Sequence, residues 1–542
     1  MTPQTLRPDA PASSAINIPV SDGLRPPAGS EALRVSLAGV NVEGGYTELA
    51  DQTAAVFVGL TGRTLSLAEV YKAASAIEAA YVRAGYILVR VAIPPQQLVD
   101  GGTLKIVIVD GFIEDVDTST VPARSRAIVT ARVAGLAGKH HIKLGEIETS
   151  LLIANDVPGI TLSSTLMRGE QPGGVKLVVN AKQQLLSGSA GIDNSYDRLL
   201  DTYRASAQLS LNSALGLGEQ FYGFAAGGYD LAEFFTNDTP VRVLGGGAVV
   251  PFANGRLMIN PEATFSRTQP LMQAGVARTR GTLQRLTLRA GYTIIKTRTQ
   301  TLAINAAVEQ IDETNSALDF GVQISHDRFM AARLGVSYLQ EHFDGSFWTV
   351  SGLLSQGLGD LGALPVLPMG VLASRQGATR NFVKLGITLR GAAPVAGGLR
   401  LVMTGGGQTA FGQPVFRSEQ TALEGADALS AYAGGVTAVD SAVTARSELI
   451  LPFTSKAFKR RVQIAPYTFV AAGAGWIERP TALERGSIAA AALGAGVRVR
   501  LEPLGLGLGL GLSLTAEYAH GFADVPALDR ANRFSGSVTL PF

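Results

Sequence analysis

The strongest constraint on this chain is a period of two that runs through its last two-thirds. In "RLTLRAGYTI", Leu286, Leu288, Ala290, Tyr292 and Ile294 share one face, and Arg285, Thr287, Arg289 and Thr293 share the other. "TLAINAAVE" repeats this with Leu302, Ile304, Ala306 and Val308 against Asn305 and Glu309. "LGLGLGLGLSLTAEY" sets Leu504 to Leu514, at every second position, then Ala516 and Tyr518, against glycines and then Ser513, Thr515 and Glu517. A low-complexity slip explains the Gly-Leu run but not its continuation through "SLTAEY". Successive side chains of a strand point to opposite faces, so these segments predict strands with one apolar and one polar face.

A β-sandwich alternates too, and quantity separates the cases. Roughly 357 residues (186–542) carry this texture, which is large for a sandwich. At about 22 residues per strand and connection they give about sixteen strands, an even number as membrane barrels have. Glycine supports the same architecture: there are 63 in 542 residues, where ~38 would be usual. The chain is 46% hydrophobic and 17% charged, yet no run of eighteen apolar residues predicts a membrane helix. Alternating strands hide a lipid-facing surface, and closure satisfies every backbone group in lipid. The last segment, "RFSGSVTLPF", places Phe534, Gly536, Val538, Leu540 and Phe542 opposite Arg533, Ser535, Ser537, Thr539 and Pro541; it reads as the closing strand.

The first third has a different texture. Residues 1–32 are rich in Pro, Ala and Ser and read as a linker or plug segment. Residues 33–111 and 112–185 read as two small α/β modules of β-α-α-β-β order, two units in tandem rather than one core. "SLAEVYKAASAIEAAYVRAGY" predicts a helix capped by Ser66 with Glu69 completing the box. Val70, Ala74, Ile77 and Tyr81 form its apolar stripe, and Gly85 is the stop. "YILVRVAIP" and "GTLKIVIVDG" follow as strands; in the second module "KLGEIETSLLIANDVPG" is helical and "GGVKLVVNA" a strand.

Several function classes lose support. "GLGDLG" at 357–362 fits a dinucleotide fingerprint, but Ala-Leu-Pro follows it instead of a helix, and no acidic partner comes about twenty residues on. His140 and His141 lack ligand spacing and read as a solvent-facing loop. The chain has no cysteine, and a formal net charge of +2 with no basic tract gives no reason to invoke nucleic acid. No catalytic residue, metal or cofactor is expected. "MTPQTLRPDAPASSAINIPV" lacks the pattern of a secretory signal, so an exported protein would have its signal outside this sequence.

The modules and the barrel together resemble a known family. "GRTLSLAEVYKAASAIEAAYVRAGYILVRVAIPPQQLVDGGTLKIVIVDGFIEDV" is similar to the first POTRA domain of two-partner secretion transporters, the TpsB family of hemolysin-activator and filamentous-hemagglutinin exporters. The match rests on Gly85-Tyr86, the P-x-Q of Pro95 and Gln97, Gly102, and the L-x-I-x-I-x-x-G strand ending at Gly111. "LGEIETSLLIANDVPGI" resembles the second POTRA domain. "GIDNSYDRLLDTYRASAQLSLNSALGLGE" resembles the family's opening "DN" strand and "N-x-L-G-L-G" turn. The terminal Phe542, with Phe534, Val538 and Leu540, resembles the barrel-assembly signal of bacterial outer-membrane proteins.

The resemblance implies a monomeric outer-membrane translocator, inserted in lipid by the barrel-assembly machinery, with POTRA domains in the periplasm. It implies as client a secreted β-helical exoprotein of hemolysin or adhesin type, whose folding outside drives export. Client contacts are expected at Tyr86, Pro95, Gln97, Leu104, Ile106 and Ile108, and a polar lumen at Arg285, Arg289, Arg498 and Arg500. The glycines between 505 and 511 are expected to leave room for a plug. An assembly or insertion factor of the same superfamily is the alternative; a passive porin needs no such modules. Two departures stand out. The family's V-R-G-Y/F loop tip aligns with Leu429, Ser430, Ala431 and Tyr432, putting Ser430 in place of the arginine. The facing strand "FVAAGAG" puts Gly473, with Gly475 beyond it, where the acidic partner belongs. A matched loss avoids a buried unpaired charge and leaves the loop either weakly held or held by other contacts.

Overall fold

The computed structural model describes residues 16–17, 26–236, 239–273, 275–359, 361, 371–457, 460–482, 484–504, 510–525, 528 and 530–542. Two compact units divide at residue 184/185, with residues 215–218 grouped with the first.

The larger unit is a closed antiparallel barrel of sixteen strands among the described residues, running from Leu186–Asp193 to Asn532–Pro541. Each strand pairs with its neighbour in sequence. One strand is interrupted at Leu451 and Pro452: Ser441–Ile450 and Phe453–Ala457 both pair with Arg460–Trp476. Several strands are long, with 18 residues in Thr279–Lys296 and 20 in Val322–Glu341, where about 9–11 tilted residues cross a bilayer core.

The period of two decides the faces. Leu286, Leu288, Val308, Leu334, Val336, Val470 and Tyr518 are exposed on the outside, while Arg285, Thr287, Glu309, Arg446, Glu448 and Glu517 are buried inside. So much exposed apolar surface fits a lipid-facing band and not a wetted one. No helix among the described residues is long and apolar enough to cross a membrane, which says nothing of strands.

The closing ladder pairs Ser537–Pro541 with Asp193–Ser189. Phe542 extends it by exchanging two 2.9 Å backbone hydrogen bonds with Gly188. At its other end the Asn194 side chain acts as an extra rung: Nδ2 donates to the Phe534 carbonyl at 2.7 Å and Oδ1 accepts from the Gly536 amide at 2.9 Å. Phe534, Val538 and Leu540 point outward and are exposed. Of the glycines at 505–511, those at 505, 507 and 509 lie outside the described residues, as does most of segment 1–32.

The smaller unit holds two α/β sheets. In the first, Arg34–Gly44 lies between Thr64–Ser66 and Gly102–Val109, with Arg90–Ala92 beyond, and the helices are Ala50–Val58 and Leu67–Arg83. Ser66 and Glu69 form the expected capping box, and Val70, Ala74, Ile77 and Tyr81 are buried. In the second, Phe112–Asp117, Gly174–Gln183 and Ile160–Arg168 carry the helices Ala123–Val133 and Leu144–Asn155. Gly111, between the two sheets, is packed so tightly that a Cβ would lie 1.9 Å from the Leu88 carbonyl oxygen. His140 and His141 remain half exposed, yet both reach Asp110, and their rings lie 4.4 Å from Phe112 and 4.0 Å from Tyr46.

Candidate functional site

Two places in the fold could handle a client, one in each unit. The first is the barrel lumen. Between strands Arg400–Thr409 and Ser441–Ile450 the chain forms a long loop whose Val415, Phe416, Glu419, Leu423, Leu429, Tyr432 and Val439 are all buried. A surface connection would not bury so many side chains, so this loop lies inside the barrel. Its stem is set by aromatic packing: Phe416 stacks on Phe329 of strand Val322–Glu341 at 4.7 Å, and Phe382 meets Phe329 edge-on at 5.6 Å.

Just beyond, Glu419 is 1% exposed and clamped by the wall. Arg333 gives it Nη1 and Nη2 at 3.1 and 2.7 Å, and Lys384 Nζ lies at 2.9 Å. Arg333 Nε also donates to Glu309 at 2.8 Å. Backbone contacts reinforce the clamp: Lys384 Nζ and Gln408 Nε2 donate to the Glu419 carbonyl at 2.8 and 3.0 Å.

The loop tip, Leu429-Ser430-Ala431-Tyr432, is buried throughout. Ser430 Oγ accepts from Arg446 Nη1 at 2.8 Å. Arg446 comes from the wall strand Ser441–Ile450 and is 2% exposed. It also donates to Glu517 at 2.6 Å and Glu448 at 2.8 Å, and its guanidinium lies 3.5 Å from the centre of the Phe469 ring. Arg498 holds Glu448 bidentately at 2.7 and 2.9 Å, and Tyr467 donates to Glu517 at 2.7 Å. Tyr432 donates to the Phe522 carbonyl at 2.9 Å and accepts at its own carbonyl from Arg533 at 2.6 Å.

Of the two alternatives, the tip is held by other contacts, with the arginine on the wall. Gly473 and Gly475 face the tip: a Cβ at 473 would lie 2.9 Å from Leu429 Cδ1, and one at 475 would lie 2.9 Å from Val439 Cγ2. Arg285 is buried, Arg289 donates to Asn260 at 2.6 Å, Arg498 is as above, and Arg500 is exposed on the same side of its strand as Arg498. Sequence reasoning missed Glu419, Arg333, Lys384, Arg446 and Glu448. The spacing of Thr444, Arg446 and Glu448 in "VTARSELIL" marks a charged inward face, but nothing local pairs Glu419 with bases 86 and 35 residues away.

The second place is a sheet edge in the first α/β module. Arg34–Gly44 pairs with Thr64–Ser66 only over residues 34–36. Among the described residues no strand covers the rest of that edge. Beside it runs a groove of about 670 Å³ lined by Val40, Val42, Tyr46, Phe57, Val58 and Ile108, and Val58 is 77% exposed. At its end, Gly44 has φ +80°, and a Cβ there would lie 2.3 Å from the Ile108 carbonyl oxygen, so glycine alone lets the chain turn this close to the central strand.

Most of the residues expected to contact a client lie in the core of the first module. Leu104, Ile106 and Ile108 belong to the central strand and are buried in the domain core; only Ile108 borders the groove. Tyr86 is also buried, and its hydroxyl donates to Glu48 at 2.5 Å. That bond and burial push the phenol up to about 12. Pro95 and Gln97 are exposed, but the neighbouring Gln96 makes the structural bonds, exchanging two at 2.8 Å with the Lys105 backbone. Among the described residues no group of three or more His, Asp or Glu side chains could hold a metal ion.

A sixteen-strand barrel with a loop packed in its lumen, preceded by two POTRA-like modules, has the form of an outer-membrane transporter. Residues 173–499 match the family model described as haemolysin secretion/activation protein ShlB/FhaC/HecB, and residues 35–111 match the ShlB-type POTRA domain. The chain belongs to this family of outer-membrane transporters. It is 25% identical over 173 residues to the heme/hemopexin transporter protein HuxB of Haemophilus influenzae, covering 31% of this chain and 30% of that protein. It is 22% identical over 343 residues to the outer membrane transporter CdiB of Escherichia coli strain 536, covering 62% and 56%. The chain therefore matches about a third to just over half the length of these curated relatives. Its fold is similar to solved CdiB from Escherichia coli (TM-score 0.68, 19% identity, 96% and 94% covered) and from Acinetobacter baumannii (0.62, 13%, 97% and 95%).

Proposed function

We propose that this protein exports an unfolded exoprotein across the outer membrane. The observation that carries the reading is a closed barrel of sixteen strands, wide enough for an aqueous conduit, whose lumen is filled by a loop rather than by wall side chains alone. Displacing that loop opens a path for an extended chain. The POTRA domains lie in the periplasm and hold the client extended. The uncovered edge at residues 38–44 accepts a strand through main-chain hydrogen bonds, and the adjoining apolar groove takes alternate side chains. Such pairing tolerates varied sequence and suits a polypeptide that must not fold before export. The client is a large secreted β-helical protein, and the transporter is a monomer set in outer-membrane lipid by the barrel-assembly machinery. The family and its named transporter relatives support this reading.

The test is secretion of an exoprotein encoded beside this chain, in cells carrying the intact transporter or Val40→Asp with Val58→Asp. The paired variant should lower secretion about tenfold or more while the barrel still inserts and conducts ions. Unchanged secretion would remove the edge from the mechanism, and no secretion by the intact protein would remove the reading.

A further inference from the structure

We infer that Glu419 is the charged lock that retains the loop in the lumen, with the acid on the loop and the bases on the wall. The inference rests on the conduit reading above. Its physical basis is charge balance in two buried clusters. Near the tip, Arg446 and Arg498 face Glu448 and Glu517, all four on wall strands. The cluster is neutral without the loop, and Ser430 adds only a hydroxyl. A loop arginine there would bring an unmatched fifth charge.

The stem cluster is different. Its wall members are Glu309, Arg333 and Lys384, which carry one excess positive charge. Glu419 supplies the missing negative one. Withdrawing the tip therefore leaves that four-residue cluster balanced and costs Arg533 only the Tyr432 carbonyl, whereas withdrawing the stem strands an excess cation in a largely desolvated place, where unpaired charge is costly. Of these two clusters only the stem takes an ion pair from the loop, at Glu419, eleven positions before Ser430 and with the opposite sign to a loop arginine. Phe416 on Phe329 positions this lock, and Gln408 fixes its backbone.

The experiment is ion conductance of the purified full chain in planar bilayers, with a variant lacking residues 421–436 as the open reference. Glu419→Gln should raise open time about tenfold or more, the size of a lost hydrogen-bonded charge contact, and Lys384→Met should also raise it. Glu419→Arg with Arg333→Glu, which restores neutrality, should return the channel toward closed, and Ser430→Ala, which removes one hydroxyl contact, should raise open time far less than Glu419→Gln does. A closed Glu419→Gln channel beside an open reference overturns the lock alone. So does opening by Ser430→Ala as large as that by Glu419→Gln, or a swapped pair no better than the single variant. If the reference does not conduct, the conduit reading falls and the lock falls with it. Heat-modifiable migration of each variant verifies that its barrel has closed, and Lys384→Met supplies an independent arm if Glu419→Gln does not fold.

Discussion

Replacing Arg446 with methionine tests the neutral cluster at the loop tip most directly. The variant removes the guanidinium that joins Glu517, Glu448 and Ser430 and lies over Phe469. Glu448 keeps its bidentate partner Arg498, but Glu517 keeps only the Tyr467 hydroxyl. Removing one member of a buried pair costs about 3–5 kcal/mol, and both Arg446 and Glu517 are buried enough for that range to apply. Pairing Arg446→Met with Glu517→Gln restores neutrality. The double variant still lacks the cation–π contact, about 0.5–2 kcal/mol, and the Ser430 bond, about 1 kcal/mol. It should therefore be destabilised by roughly 1.5–3 kcal/mol, no more than either single change, with a coupling of at least ~3 kcal/mol. The assay is urea unfolding of the detergent-solubilised full chain, followed by tryptophan fluorescence and by heat-modifiable migration. A double variant whose loss equals the sum of the two single losses would refute the charge-balance argument.

Three further outcomes follow from the geometry. Gly473→Leu places a side chain where Leu429 Cδ1 already sits and should cost about 1–3 kcal/mol of tip packing. A cysteine at Ala431, unambiguous in a chain with none, should then react faster with a water-soluble thiol reagent; an unchanged rate would place the tip elsewhere. Asn194→Ala removes the extra rung at the closing ladder and should lower the temperature of heat-modified migration, whereas Asn194→Gln should not restore it, because the longer chain misses both backbone groups. Ser66→Ala should cost the first α/β module about 1 kcal/mol. The Ser66 amide and then its hydroxyl hold the Glu69 carboxyl below its usual range, so the Glu69 half of the capping box is present above about pH 4.3 and fades as pH falls through the depressed value, and Ser66→Ala, which keeps the amide, removes only the hydroxyl part. Acid titration of the helical signal should show this loss in the native chain and a flatter curve in Ser66→Ala.

Much of the architecture was legible because period and burial coincide. The alternation around Leu286 and Leu514 assigns inside and outside correctly along whole strands, and the capped helix at residues 67–83 carries all its signals locally. The β-α-α-β-β order called for a second helix in the first module, but its place at Ala50–Val58 was not legible: Thr53 is its one buried residue, so no apolar stripe announces it. "YILVRVAIP" looks like one strand, yet only Arg90–Ala92 pairs. Its Tyr86 and Val89 are committed to the first domain's core and Leu88 to the second's, which draws the backbone out of the ladder. The alternation of Leu104, Ile106 and Ile108 places them in the core of the first module.

The loop shows why a motif position can be empty while its physical requirement is met. A buried region requires local charge neutrality and filled volume, and neither is tied to one residue number. Here the arginine beside the tip is Arg446 of the wall, so Ser430 need only accept a hydrogen bond. With no charge coming from the loop tip, an acid in place of Gly473 would face no partner of its own there, and the space it would take is used by Leu429. With the cation on the wall at Arg446, an acid at position 473 would be a liability and a small residue there is required. Restoring the motif by Ser430→Arg with Gly473→Asp should destabilise the tip rather than strengthen it, because the added carboxylate would displace Leu429 and the new guanidinium would abut Arg446.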